Sequence, residues 1–425
     1  MNGVVVITTK RGKEGKPRIH YSGNYTVRTK PRYSEFNIMN SADQMSVYAE
    51  MERKGLLTSD IVNNQSSGIY GIMYNRINTW DESKQQYLLE NTYAARHNFL
   101  MEHAAANTDW FDLLFTNSIM NEHTLSVSSG SQKSKSYISL GFLNDPGWTV
   151  ADKVNRITMN FRNDYQLNDK IGFSFQTVGS VRMQNAPGSL SRSSDVVSGI
   201  SSRNFDINPF NYALNTSRAL RAYDSNGERE YYTLNFAPFN ILEELDNNYI
   251  KLNVIDLKAQ AEFNWQIIKG LTFKTAGTYN TTDSRTDIFY KTGSKEAYRN
   301  GEKPYGRTQM GRDVRWTNYN NLTWKQKIKK HTYDVMLGHE VSFKSSEYLL
   351  GEAMDFPFDN LGNDNLGIGA TPSKVSSSYS DKMLLSFFAR GNYNYDNRYL
   401  LTATIRADGS TVFSQKNKWG CLLYT

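Results

Sequence analysis

The chain has 425 residues and a net charge of +7, from 49 basic and 42 acidic side chains, and it contains one cysteine. The basic residues are scattered among acidic ones, which argues against nucleic acid as a partner. The single Cys421 excludes an internal disulfide framework. Tyrosine, phenylalanine and glycine are frequent although the mean hydropathy is −0.61. This mixture is typical of a wall of strands that faces water on one side only.

The first residues, Gly3–Gly12, form a short apolar run closed by a basic turn, which predicts a buried strand. The next run, Arg18–Arg28, alternates apolar and polar residues and predicts a second strand. A domain rarely begins in mid-core, so the start of this one is expected to lie upstream. No apolar run in the chain approaches the roughly 20 residues of a membrane-spanning helix.

The stretch Lys30–Asn121 loses the alternation. Within it, Ser41–Arg53 has helical spacing, and Ser41 is in position to cap the helix. The segment Asn107–Phe115 predicts a short helix capped at Asn107 or Thr108.

Four alternating runs lie end to end between Glu122 and Gln184. In the third run the apolar residues Ile157, Met159 and Phe161 take odd positions, and Arg156 and Arg162 take even ones. Successive side chains of a strand point to opposite faces, so a period of two predicts β-structure. These runs exceed the roughly five or six residues usual in soluble sheets. A long strand with one apolar and one charged face suits a wall between lipid and water.

Further alternating runs follow in pairs, and the complete chain predicts about eleven barrel strands. The later runs are Leu252–Gln266, Leu271–Thr282, Val314–Lys325, Tyr333–Phe343, Met383–Tyr395 and Tyr399–Arg406.

The connections between runs alternate between short and long. The short ones are Gly130–Ser134, Leu167–Lys170, Ile268–Gly270, Ile328–Lys330 and Asp396–Arg398. The long ones are Lys30–Asn121, Asn185–Asn248, Arg285–Arg312 and Gly351–Ser380. Antiparallel hairpins with short periplasmic turns and long extracellular loops are typical of outer-membrane barrels. A soluble sandwich or barrel rarely alternates loop lengths so regularly or needs so many strands. The predicted fold class is therefore an all-β antiparallel transmembrane barrel.

The alternation also predicts which side chains face lipid, because an arginine facing lipid near the membrane midplane costs roughly 2–4 kcal/mol. Eight apolar residues are predicted to point outward: Ile157, Phe161, Phe173, Phe175, Leu257, Phe263, Leu337 and Phe387. Six charged residues are predicted to point inward: Arg156, Arg162, Lys258, Glu262, Glu340 and Arg390.

Three segments resemble SusC/RagA-type TonB-dependent outer-membrane transporters. MNGVVVITTKRGK at residues 1–13 is similar to the end of the plug domain in that family. NTDWFDLLF at 107–115 is similar to the segment before its second barrel strand, and NRYLLTATIRADGSTVFSQKNKWG at 397–420 is similar to a later segment of the family. The resemblance implies a plug inside a barrel of about 22 strands. It also implies glycan or peptide import powered by the TonB complex, with a SusD-like surface lipoprotein as partner.

The resemblance assigns residues 1–16 to the end of the plug and residues 17–425 to the first part of the barrel. Most of the plug and the TonB-binding box would then lie upstream. After Trp419-Gly420 the chain departs from the family pattern, as a frameshift or broken gene model would. The isolated chain is expected to be inactive, because an open sheet edge cannot sit in hydrocarbon.

No pattern of catalytic residues is present, so no enzymatic activity and no cofactor are expected. His339-Glu340 lacks the second histidine of a zinc motif, and Asp359–Asn365 lacks the spacing of a calcium loop. No metal site is therefore expected. Trp110 and Trp148 could stack on a ligand such as a sugar ring. For Trp148 a turn or an interfacial position is the alternative, and Trp265, Trp316 and Trp324 fit the interfacial aromatic belt better.

Two functions remain open from the sequence. The first is TonB-dependent import of a nutrient, glycan or peptide, by an outer-membrane protein in contact with lipid. The alternative is a carbohydrate-binding surface β-protein without transport activity. Dependence on detergent for solubility favours the first, because a membrane wall exposes far more apolar surface than a soluble monomer does.

Overall fold

The computed structural model is dominated by one antiparallel sheet of twelve strands, each paired with the next along this wall. The structure describes residues 10–57, 68–186, 193–194, 201–202, 208–234, 237–299, 301 and 303–424. Most of the strand predicted at Gly3–Gly12 lies outside these residues, and Lys10–Gly12 have no regular structure.

The longest strands of the sheet are β6 to β10, which have 20 or more residues each. Their bounds are β1 Gly15–Arg28, β2 Ser118–Gly130, β3 Ser134–Asp145, β4 Lys153–Asn168, β5 Ile171–Ala186, β6 Asn248–Ile268, β7 Leu271–Tyr290, β8 Tyr305–Ile328, β9 His331–Met354, β10 Thr371–Tyr395, β11 Tyr399–Ser410 and β12 Trp419–Tyr424. A membrane crossing takes only about 9–11 tilted residues. A large part of each long strand therefore stands outside the hydrocarbon.

All eleven predicted strands are present, and β12 is an additional strand that the alternation did not indicate. The five short connections are confirmed as hairpin turns. Two of the connections predicted to be long are much shorter in the structure, because β7 to β10 continue through them. They span 291–304 and 355–370 instead of Arg285–Arg312 and Gly351–Ser380.

Strand pairing divides the side chains between two faces, since directly paired residues share a face. Ile157 pairs with Phe142 and Val181, and Phe173 pairs with Phe263. Followed across all strands, the registers place the eight residues predicted to face outward on one face, here called the apolar face. The six predicted to face inward lie on the other, here called the polar face.

Seven short helices lie in the described parts of the connections. Their bounds are α1 Ser41–Arg53, α2 Ile69–Asn78, α3 Tyr93–Ala106, α4 Trp110–Leu114, α5 Pro209–Asn215, α6 Ile241–Asn247 and α7 Lys295–Arg299. Three 3₁₀ segments, Tyr33–Glu35, Asp359–Ile368 and Gln415–Asn417, and three two-stranded ladders complete the described elements. Among the described residues, none of the helices is both long and apolar enough to cross a membrane.

The helix caps differ from those predicted. Asn40, not Ser41, caps α1, because its side-chain oxygen accepts a hydrogen bond from the Asp43 amide at 2.8 Å. Ser41 instead accepts a hydrogen bond from the Asn107 amide at 2.8 Å. Asp109 caps α4, while Asn107 is left-handed (φ 43°) and ends α3. Both corrections have one cause. Several neighbouring residues have side chains that can cap a helix, and contacts with the rest of the fold determine which of them does so.

Candidate functional site

Pairs of opposite charge run along the polar face of the sheet. Arg162 lies 2.9 Å from Asp164, and Lys274 lies 2.9 Å from Glu262. Several of the charged residues predicted to point inward therefore have an oppositely charged partner on the same face. A charged surface of this kind binds water, and a polar ligand can move along it.

The segment ahead of β1 runs against this polar face. Arg11 lines a cavity of about 440 Å³ together with Arg162, Asp256 and Lys258. A Cβ atom added at Gly12 would lie 2.5 Å from the Ser136 backbone nitrogen, so only glycine fits at this approach. Chain that precedes the sheet is therefore held on the face that is predicted to line the interior.

A second candidate surface stands at the end of the sheet where the long connections lie. It is formed by residues 30–57, 68–117, 146–152, 208–234 and 237–247 and is called the loop body here. Its core is rich in aromatic and aliphatic side chains from separate connections, including Tyr33, Phe99, Trp110, Phe111, Phe115, Leu220, Phe239 and Ile241. Burial of this many large side chains gives the loop body a core of its own.

Hydrogen bonds also join the connections within the loop body. The Tyr33 hydroxyl donates to the Ala213 carbonyl at 2.6 Å, and the Thr108 amide donates to the Arg218 carbonyl at 2.8 Å. The Thr116 amide donates to the Trp148 carbonyl at 2.9 Å. These hydrogen bonds therefore hold together connections that are far apart in the sequence.

The two tryptophans singled out in the sequence both belong to the loop body. Trp110 is 2% exposed, donates from Nε1 to the Ser217 carbonyl at 3.1 Å and packs edge-on against Tyr212. Trp148 is half-buried and donates from Nε1 to the Thr29 carbonyl at 2.9 Å. Its ring centroid lies 5.0 Å from that of Phe115. Ligand contact by either residue stays a prediction, and of the two only Trp148 keeps part of its surface open.

A cluster of charged groups is enclosed in the loop body. The Glu230 side chain is 8% exposed and is bound by Arg76 at 2.8 Å and Arg221 at 2.7 Å. His103, which is 1% exposed, lies beside this cluster, and its Nδ1 is 2.7 Å from the Ala219 carbonyl oxygen. Burial lowers the pKa of His103 below its ordinary value.

An aromatic cleft of about 390 Å³ lies beside the loop body and was missed by the sequence analysis. It is lined by Tyr231, Pro238, Glu243, Thr292, Gly293 and Tyr298. Tyr231 and Tyr298 are 43% and 42% exposed, so two tyrosine rings reach solvent next to a carboxylate. Such a cleft can stack on a sugar ring or an apolar peptide side chain. Its residues come from two connections that are distant in the sequence, and no local sequence pattern predicts that they lie close together.

Among the described residues, no group of three His, Cys, Asp or Glu side chains is close enough to hold a metal ion. His339 and Glu340 are consecutive strand residues of β9 and lie on opposite faces. Asp359 begins a 3₁₀ segment, and its Oδ1 accepts a hydrogen bond from the Thr292 amide at 3.1 Å.

Comparison with known proteins identifies relatives along nearly the whole chain, although no family model matches it. TonB-dependent receptor P3 of Formosa agariphila is 23% identical over 98% of this chain, and receptor P39 of the same organism is 25% identical over 99%. TonB-dependent receptor SusC of Bacteroides thetaiotaomicron is 22% identical over 99% of this chain. The chain spans only 35–37% of the length of these three relatives.

The fold agrees with these relatives. The structure of the RagAB peptide transporter superimposes with a TM-score of 0.71 at 18% identity, over 98% of this chain and 44% of that one. The twelve-stranded sheet thus matches part of a receptor barrel.

Fold and sequence together show that the chain is similar to TonB-dependent receptors along nearly its whole length. It corresponds to part of a SusC/RagA-type receptor, as its motifs predicted. In an outer-membrane barrel of this kind the apolar face is the lipid face, and the end that carries the long connections is the extracellular one.

Proposed function

We propose that this chain takes part in TonB-dependent import of a nutrient, a glycan or a peptide, across the outer membrane. The observation that carries the proposal is the alignment of almost the whole chain with TonB-dependent receptors. A polar face lined with charge pairs, below a loop body with open aromatic rings, supplies a route for a polar solute.

We also propose that residues 1–16 are the end of the plug and residues 17–425 the first part of the barrel. The approach of Arg11 and Gly12 to the polar face supports this division. A plug must lie inside the wall, and this segment leads there. The TonB complex would act through a segment that precedes it.

A SusD-like surface lipoprotein is the proposed partner, docking on the loop body. Trp148 and the Tyr231–Tyr298 cleft are the proposed ligand contacts, and both lie at the extracellular end. Contact through Trp110 would require the loop body to open, because its ring is enclosed by protein.

The test uses the receptor produced in outer membranes with its partner lipoprotein. Gly12→Ala places a Cβ against the Ser136 backbone and should displace the end of the plug. We expect uptake of radiolabelled oligosaccharide or peptide to fall at least tenfold, while surface binding of the same ligand persists. Gly277→Ala is the matched control, since its Cβ would meet no atom within 4 Å.

Dissipating the proton gradient should stop uptake by the unaltered receptor without preventing surface binding. A receptor that binds carbohydrate but never accumulates it, with or without the gradient, would support the binding-protein alternative and contradict the transport proposal.

A further inference from the structure

A groove of about 720 Å³ lies in the lipid face of the wall, across β6 to β10. Its lining combines apolar side chains with charges of both signs. The residues that matter here are Ile255, Met310, Leu349, Arg285, Arg312 and Glu347.

The charged residues of the lipid face show where along the strands the groove lies. Moving from the short turns toward the long connections, the lipid face of these five strands first carries a mainly apolar band without acid, lysine or arginine. The first charged residues on that face are Lys251, Asp283, Arg312, Glu347 and Asp381. Charges on the lipid face are tolerated only near an interface. The groove therefore sits where the outer-leaflet headgroups begin.

The wall above the groove is covered by protein. The segment that follows β9 packs on the same face, with the Asn363 amide donating to the Ile288 and Arg307 carbonyls at 2.9 and 3.0 Å. Phe289 beneath it is fully buried. The groove is thus bounded by folded chain above and by the apolar band below, which is the space of a lipid headgroup and the first part of its acyl chain.

The charges in the groove are arranged in cross-strand order. Asp283 of β7 lies opposite Arg312 of β8, and Arg312 in turn lies opposite Glu347 of β9. Asp283 lies 3.3 Å from Arg312 Nε, and Asp287 accepts from Arg285 Nε at 2.9 Å. Among the described residues, the terminal nitrogens of both guanidinium groups have no hydrogen-bond or ion-pair partner, so they can bind a further acceptor. Glu347 is exposed, and no ion pair reaches it among the residues that the structure describes.

We propose that this groove binds an outer-leaflet lipid whose headgroup carries both a phosphate and a protonated amine. Arg285 and Arg312 bind the phosphate, because guanidinium groups match its oxygens in geometry and charge. Glu347 binds the amine. Ile255, Met310 and Leu349 contact the first part of its acyl chain. A lipid with a purely anionic headgroup fits less well, since Glu347 and Asp283 would repel it.

The experiment measures lipid retention by the receptor purified from outer membranes. The protein is incubated in detergent with equal amounts of phosphatidylethanolamine and phosphatidylglycerol, and bound lipid is counted by native mass spectrometry. We expect at least a fivefold preference for phosphatidylethanolamine. Glu347→Gln should abolish the preference, and Arg285→Gln with Arg312→Gln should lower retention of both lipids about tenfold.

Arg315→Gln is the matched control, because Arg315 lies on β8 close to Arg312 but on the polar face. It should leave retention unchanged. Equal retention of the two lipids by the unaltered receptor would overturn the proposal without any variant. So would full displacement by soluble glycerophosphoethanolamine at the lipid's own concentration, because the apolar part of the groove would then contribute nothing.

Discussion

At the scale of single residues, His103 shows how burial fixes a protonation state. The Ala219 carbonyl can only accept, so Nδ1 of His103 carries the proton and donates it over 2.7 Å. Nε2 is buried and has no hydrogen-bond partner among the described residues. A second proton would therefore sit on a buried nitrogen without an acceptor, beside Arg76 and Arg221, with Glu230 already bound by both.

The first prediction is that the loop body loses stability in mild acid. The folded pKa of His103 is depressed, so the unfolded state takes up a proton first as the pH falls below about 6.5. Stability is complete above that pH and is lost below it, down to the folded pKa. The protection factors of the α3 amides, which are corrected for the intrinsic pH dependence of exchange, should fall by at most about tenfold per pH unit in this window.

The variant His103→Gln keeps a donor for Ala219 but cannot titrate, so this acid sensitivity should disappear. His97→Gln, on the same helix but exposed, should retain it. Identical pH dependence in the two variants would assign the effect to other groups.

The residue types alone did not predict the burial of His103 and Trp110 or the helix caps. The hydrogen-bond partners of His103 and Trp110, Ala219 and Ser217, are more than 100 positions away in the sequence. The helix caps were predicted to within two residues, since the choice among Asn40, Ser41, Asn107 and Asp109 is made by tertiary partners.

At the scale of elements, the sequence predicted the strands well because the membrane imposes one rule on every strand. Each lipid-facing position must be apolar, so the period of two survives in Ile157–Phe161 and its counterparts. The rule applies only within the hydrocarbon of the membrane. Beyond the level of the headgroups the alternation is lost, and the strands were no longer predicted. The outer parts of β7 to β10 carry charged or polar residues on both faces, so the period of two is lost and they were assigned to loops. The missed strand β12 reads Trp-Gly-Cys-Leu-Leu-Tyr and has no alternation.

The second prediction tests the two faces with neighbouring positions on β4. Met159→Arg places a charge in the middle of the lipid face and should destabilise the receptor by roughly 2–4 kcal/mol. Asn160→Arg places the same charge on the polar face and should cost less than about 1 kcal/mol. Unfolding by urea from phospholipid vesicles, followed by tryptophan fluorescence, measures the difference. Equal costs would mean that the faces have been assigned wrongly.

At the scale of the whole molecule, the loop body is the part that the sequence could not predict. Phe111 packs against Tyr33 and Phe36 from its own connection and against Phe210 from another. A third connection contributes Trp148, which contacts Phe210 in turn. These contacts join segments without periodicity, so no pattern within any one segment reveals them. What the sequence did predict is that the long connections share one end of the sheet, since that follows from antiparallel order alone.

The last prediction is that this shared core makes the extracellular connections respond as one unit. Phe111 is fully buried, so Phe111→Ala should cost the loop body about 3–5 kcal/mol. Limited proteolysis and hydrogen exchange should increase in both 30–117 and 208–247, while the strands within the membrane keep their protection. Lipoprotein binding and uptake should fall together. Tyr93→Ala, which removes a ring that is 78% exposed on α3, should change none of these readouts. Loosening confined to 30–117 would show instead that the connections are stabilised separately, and that a docking partner meets independent loops.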